Sequence, residues 1–217
     1  MLRAASPAVF ALVFAWGAGS VLAPTPASAE ILTVFAEAHG GGAVGAATSG
    51  EQVIQDSAFF ANAPHGAYGA RIGAQLLFFE GAIQHHQFTD GSRIATWTQF
   101  ELGLHGTVDL GDFKQQKAHE GGYVEFGVAG AFGVGTGQQV MPPLDNAQIT
   151  DKAFLVAGRL GAGTHLGSVF DLGVVVPVSW GYFFKNGDGA AVNDVSTHYR
   201  GVQGEALVVL RANIRVL

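Results

Sequence analysis

The last stretch of the chain, RGVQGEALVVLRANIRVL (Arg200–Leu217), separates into two sets when read at every second residue. Val202, Gly204, Ala206, Val208, Leu210, Ala212, Ile214 and Val216 carry no polar side chain. Between them lie Gln203, Glu205, Leu207, Val209, Arg211, Asn213, Arg215 and Leu217, five of which are polar or charged. A period of two is the signature of a β-strand with one dry and one wet face. The alternation runs about three times the length of an ordinary strand of roughly five or six residues. A strand this long with one uncharged face must lay that face against a thick apolar medium.

The same period recurs seven times upstream. Leu32, Val34, Ala36, Ala38 and Val44 alternate with Thr33, Glu37 and His39, and Tyr68, Ala70, Ile72, Ala74, Leu76 and Phe78 with Arg71, Gly73 and Gln75. The parity then switches, with Phe79, Gly81 and Ile83 dry against Glu80, Gln84 and His86, which predicts a tight turn at Phe78–Phe79. Further dry sets are Phe100–Leu110, Val124–Val134, Phe154–Leu166 and Phe170–Tyr182, read on even numbers. Their wet partners include Glu101, His105, Asp109, Glu125, Arg159, His165 and Asp171. Gly, Asn, Asp and Pro mark most of the separators as turns or loops. The sequence therefore predicts eight strands.

A soluble sandwich also alternates, but its strands are shorter and its dry faces pack inward. A transmembrane barrel turns its dry face to lipid, keeps a wet interior, and leaves no unpaired backbone edge in hydrocarbon. A midplane Arg or Lys on the lipid face would cost roughly 2–4 kcal/mol, which explains the uncharged faces. The expected fold class is thus all-β, an eight-stranded antiparallel transmembrane barrel. Tyr68, Phe154, Trp180 and Tyr182 sit on dry faces beside the longer loops, and Phe78, Phe79 and Phe170 beside the short turns. Two such sets are what interfacial aromatic girdles require.

The first residues fit export. Arg3 is the only charge before Glu30, an apolar run spans Ala8–Ala23, and Ala27-Ser28-Ala29 offers a cleavage site. Residues 1–29 read as a secretory signal peptide and 30–217 as the barrel. Gly and Pro interruptions suit cleavage better than a retained anchor, and no Cys is present for lipidation. The chain has 11 Lys and Arg against 17 Asp and Glu, so it lacks the basic surface a nucleic-acid partner needs.

In these features the mature chain resembles the small eight-stranded outer-membrane barrels of the OmpA/OmpX type. The resemblance is architectural and covers 30–217. It implies an outer-membrane location and contact with outer-membrane lipid. Such barrels usually end in an aromatic residue, whereas this chain ends in Ile214-Arg215-Val216-Leu217. The mature start, ILTVFAEAHGGGAVGAATSGE, also resembles small barrel proteins of adventurous gliding-motility machinery.

Candidate chemistry follows from the wet faces. Glu37, Arg71, Glu80, Glu101, Glu125, Arg159, Asp171, Glu205 and Arg211 all point into an eight-stranded lumen, which has little room for a pore. They read as a charge network that plugs the barrel, because a buried charge needs a partner. Glu101, Glu125 and Asp171 form the alternative, a cation path. His85 and His86 are neighbours on one strand and point apart, and no His-Glu-x-x-His spacing exists, so no metal or cofactor is expected. Asn186, Asp188, Asn193 and Asp194 share a loop but not the spacing of a calcium loop. No catalytic residues are assigned; Ser179, His198 and Asp194 near one rim are the only trio resembling a hydrolase set, and no local motif supports them. Phe59, Phe60, Met141 and Leu144 place apolar side chains in loops, where they either meet a protein partner or fold onto the rim. The function expected is structural or interactive, with loops engaging a surface partner in a motility or adhesion complex. A lipid-modifying enzyme and a small porin-like channel are the alternatives.

Overall fold

The computed structural model describes residues 32–49, 52–53, 64–89, 93–110, 121–139, 149–186 and 198–216. The chain forms eight long strands: β1 (Leu32–Ser49), β2 (His65–Leu76), β3 (Phe79–Thr89), β4 (Arg93–Asp109), β5 (Gly122–Gln139), β6 (Ile149–Leu166), β7 (Phe170–Asn186) and β8 (His198–Arg215). Gln52–Val53 folds back on the end of β1. Each strand pairs antiparallel with the next, and β8 pairs with β1 from Thr33↔Arg215 to Thr48↔Arg200, so the sheet closes. This is the eight-stranded antiparallel barrel that the alternation predicts.

Register fixes the shape. A row of hydrogen-bonded neighbours runs from Ala36 through Ile72, Ile83, Phe100, Phe132, Phe154, Tyr182 and Arg200 back to β1 at Thr48. The return lies twelve residues (48 − 36) beyond the start. With ordinary strand rise and spacing, that stagger implies a tilt of about 46° and a backbone radius of about 9 Å. An 18-residue strand then rises about 40 Å, more than the roughly 30 Å of a hydrocarbon core.

The face assignment follows residue parity. On β8, Val202, Val208, Leu210 and Ile214 are exposed, whereas Leu207 and Val209 are buried. The same inversion holds around the barrel: Ile72, Ile83, Leu102, Val156, Leu160 and Val174 face outward, and Glu37, Arg71, Glu101, Glu125 and Arg211 are buried inside. The outer surface is therefore apolar and the interior charged, opposite to a water-soluble domain. His85 is exposed and bonds Thr98 Oγ1 at 2.8 Å, while His86 is buried in the lumen.

Strands run further into the loops than the alternation indicates. β5 continues to Gln139, β7 to Asn186, and β4 begins at Arg93. In these extensions the sequence loses its period of two although strand pairing continues. The tight turn also shifts by one residue: Leu77 and Phe78 form it, Leu76 pairs with Phe79, and β3 starts at Phe79. No Gly or Asn marks this turn in LLFF. Leu77 itself adopts φ 56°, a left-handed conformation that a branched side chain resists.

The barrel interior has two levels. Toward the loop ends, Phe88, Trp97, Leu155, Phe183 and Tyr199 fill the lumen, with the Phe183 and Tyr199 rings stacked at 4.8 Å. Glycines make this packing fit. A Cβ at Gly133 or Gly135 would stand 2.3 Å from the Trp97 ring. Toward the terminus end the filling is polar and charged.

Candidate functional site

The charged level begins with four residues from four strands. Glu37 on β1 and Arg211 on β8 are register partners, and Glu125 on β5 neighbours Arg159 on β6. Arg159 reaches across the lumen to grip Glu37 with two bonds, Nη2 to Oε2 at 2.7 Å and Nη1 to Oε1 at 3.2 Å. Its Nε donates to Glu125 Oε1 at 2.7 Å. Arg211 donates from Nε and Nη2 to Glu37 Oε2 at 3.1 and 2.8 Å, and from Nη2 to Glu125 Oε1 at 3.2 Å. Its Nη1 stands 2.7 Å from Glu125 Oε2, an ion-pair contact without hydrogen-bond alignment. Two carboxylates and two guanidinium groups thus form a neutral, cross-linked quartet with little solvent access.

A second cluster lies on β2–β4. Arg71 donates from Nε and Nη2 to Glu101 Oε2 at 3.0 and 2.8 Å, and from Nη2 to Glu80 Oε1. Gln99 donates to the other Glu101 oxygen at 2.5 Å and accepts the Trp97 indole N–H at 2.7 Å. That contact ties the charges to the aromatic level above. The Phe35 ring separates the clusters, with the Arg71 guanidinium 5.1 Å and the Arg211 guanidinium 5.9 Å from its centroid. Arginine against an aromatic face is a favourable cation–π arrangement.

The sequence-derived lumen residues fall into four groups. Glu37, Glu125, Arg159 and Arg211 form the quartet, and Arg71, Glu80 and Glu101 the second cluster. Glu205 stands apart: Gln203 donates to its Oε1 at 3.0 Å, and His86 Nδ1 lies 3.5 Å from Oε2. Asp171 belongs to the terminus end, where it accepts from Asn213 at 2.5 Å and contacts His165 Nδ1 at 2.6 Å. His165 Nε2 in turn meets Asp109 at 3.1 Å. The residues that sequence reasoning passed over are neutral: Gln84, Gln99, Gln203 and the inward aromatics Trp97, Tyr123, Phe183 and Tyr199. Their parity was the available signal, because each shares its wet set with Glu80, Glu101, Glu125, Ser179 or Glu205.

The outward aromatics form two sets. Tyr68, Phe154 and Trp180 are exposed and Tyr182 half-buried on the loop side, and Phe132 and Phe184 join Phe154 through ring contacts of 5.2 and 6.1 Å. Phe78, Phe79 and Phe170 are exposed at the opposite end. Lys152 and Arg200 face outward on the loop side. The loop residues Phe59, Phe60, Met141 and Leu144 lie outside the described residues, as do 1–31, Asp188, Asn193 and Asp194. Ser179 points inward, is buried, and lines a mid-lumen void beside Arg159 and Glu205. That inward position follows its wet-face parity in the sequence. Among the described residues, no three His, Asp or Glu side chains stand in metal-binding geometry.

No family model matches the sequence, and no curated protein does. The fold is similar to the crystal structure of Neisserial surface protein A, with a TM-score of 0.48 and 11% identity over 83% of this chain and 96% of that one. It is also similar to the N-terminal β-barrel domain of Pseudomonas aeruginosa OprF, with a TM-score of 0.45 and 11% identity over 84% and 97%. For Ail, the attachment invasion locus protein of Yersinia pestis, the TM-score is 0.32 at 6% identity over 82% and 97%. The likeness is one of architecture; the barrel itself rests on its closed strand pairing.

Proposed function

We propose that the protein is an exported outer-membrane barrel with a sealed lumen, whose loops engage a partner at the cell surface, as part of a motility or adhesion complex. The observation that carries the membrane reading is the inverted polarity. A closed sheet with outward Ile72, Leu102, Leu160 and Val208, and inward Glu37, Arg71, Glu125 and Arg211, is stable only with hydrocarbon around it. The sealed lumen has two supports. The quartet cross-links the wall through Arg159 and Glu37, and Trp97, Phe183 and Tyr199 fill the bore above it. A lumen filled in this way suits an anchor that displays loops.

Partner capture tests this reading. Cross-linking on intact cells followed by affinity purification is expected to recover a surface protein that is lost when the segments carrying Phe59–Phe60 and Met141–Leu144 are replaced by Gly-Ser linkers. A barrel that purifies alone after cross-linking, with an altered lipid A mass spectrum in a deletion strain, would favour a lipid-modifying enzyme instead. The inward position of Ser179 weighs against that chemistry.

A further inference from the structure

We propose that the terminus-side end of the lumen is a binding vestibule for a primary ammonium group. A cavity of about 240 Å³ opens there, and all eight strands contribute to its lining. Its inner end is closed by Phe35 and Arg211, and the aromatic level blocks the bore beyond. Among the described residues, the cavity opens toward the end that carries Leu32 and Arg215. At roughly 30 Å³ per water, the cavity holds a chemical group much larger than one solvent molecule.

Outside the two ion-paired clusters, the described carboxylates there are Asp109 and Asp171. Arg211 is held by Glu37 and Glu125, and Glu80 by Arg71. Asp109 and Asp171 remain on one wall, bridged by His165, and the Asp109 side chain is 45% exposed at the mouth. Among the described residues, the cation there outside the clusters is Arg215, whose Nη1 is directed to the Ser168 carbonyl at 3.5 Å.

A second observation points to a ligand. The Tyr123 residue is 1% exposed, yet its hydroxyl has no hydrogen-bond partner although it lines this cavity. Space for its ring exists because residues 163 and 173 are glycines; a Cβ at either would lie within 2.8 Å of the Tyr123 hydroxyl oxygen. His105, also on the lining, turns Nε2 to Glu125 Oε2 at 3.7 Å and leaves Tyr123 as the unpartnered group. Two carboxylates and a free hydroxyl oxygen are acceptors, and an ammonium group brings three N–H donors and one positive charge. An anion would meet the Asp109–Asp171 wall, and a neutral group would gain no ion pair from it.

Isothermal titration of the full chain in detergent tests this, with two amine probes. 1,5-Diaminopentane represents a free diamine, and acetyl-Ala-Lys-Ala-amide an amine borne on a peptide chain. Glutarate and 1-pentanol serve as anionic and neutral controls. Saturable one-to-one binding of at least one amine is expected, and the tighter probe assigns the source. Asp109→Asn, at the exposed mouth, is expected to weaken binding about tenfold, as loss of a charge-assisted hydrogen bond does. Tyr123→Phe is expected to weaken it with the barrel still heat-modifiable on a gel. No saturable binding of either amine up to about 10 mM, the range of affinities too weak to be specific, would overturn the proposal. Equal affinity for glutarate, or affinity unchanged in both Asp109→Asn and Tyr123→Phe, would overturn it as well.

Discussion

Replacing Arg159 by alanine removes the residue that spans the lumen. Three hydrogen bonds are lost, two to Glu37 and one to Glu125. The quartet then carries two carboxylates against one guanidinium. Breaking a buried ion pair by deleting one partner costs about 3–5 kcal/mol, because the remaining charge stays desolvated. Here Arg211 still reaches both carboxylates, so neither is stranded, and the lower end, about 3 kcal/mol, is expected. Arg71→Ala is expected to cost more. Among the described residues, Glu80 and Glu101 share one arginine contact, Arg71, and the other basic group near Glu80 is His105 at 3.4 Å. Urea unfolding in lipid vesicles, followed by tryptophan fluorescence, gives both values, since Trp97 is buried in the lumen and Trp180 faces outward. In planar bilayers neither the wild type nor Arg159→Ala is expected to give steady ohmic channels, because the aromatic level remains. A loss below about 1 kcal/mol, the worth of a solvated surface pair, would refute the buried quartet. Ohmic conductance in the wild type would refute the sealed bore and return Glu101, Glu125 and Asp171 to consideration as a cation path.

Other perturbations follow from particular contacts. Gly133→Ala places a methyl group 2.3 Å from the Trp97 ring and is expected to destabilise the barrel by about 1–3 kcal/mol, with a shift in the Trp97 emission. Val208→Arg, on the outward face of β8 well inside the apolar belt, is expected to cost about 2–4 kcal/mol in vesicle unfolding, whereas Val202→Arg, at the register partner of Trp180 near the loop end, should cost no more than about 1 kcal/mol. Leu77→Gly relieves the left-handed strain at φ 56° and is expected to raise stability by up to about 1 kcal/mol, measured by the same unfolding midpoint.

The alternation made the fold legible because a barrel in hydrocarbon separates its faces more strictly than a soluble sheet does. On β7, Leu172, Val174, Val176 and Trp180 against Asp171, Gly173 and Ser179 leave no ambiguity of face. Legibility fails where that pressure stops. At Gln138–Gln139 and Lys185–Asn186 the strands continue although the alternation has stopped, and sequence gives no boundary. It fails again at Leu77, where backbone strain replaces the glycine that would mark a turn. Within the lumen, parity identifies which charges point inward, but not which meet. Arg159 and Glu37 lie 122 residues apart and on non-adjacent strands, so their pairing depends on side-chain reach across a bore whose width is set by the register of all eight strands. Asp171 and Arg211 are register neighbours, yet Asp171 turns to His165 and Asn213. The size of the neutral side chains decides the rest. Trp97 blocks the bore only because residues 133 and 135 are glycines, a long-range complement that no local pattern reports.

Lipid exposure along β8 can be read directly, because the natural chain contains no Cys. Single cysteines introduced from Gly204 to Ala212, each carrying a fluorescent label in vesicles, can be quenched by brominated acyl chains. Strong quenching is expected at positions 206, 208 and 210. At 205, 207 and 209, whose side chains are buried in the lumen, quenching is expected to be weak. Quenching without the two-residue period, or labelling of the even positions by a membrane-impermeant maleimide, would contradict a barrel whose apolar face lies in hydrocarbon.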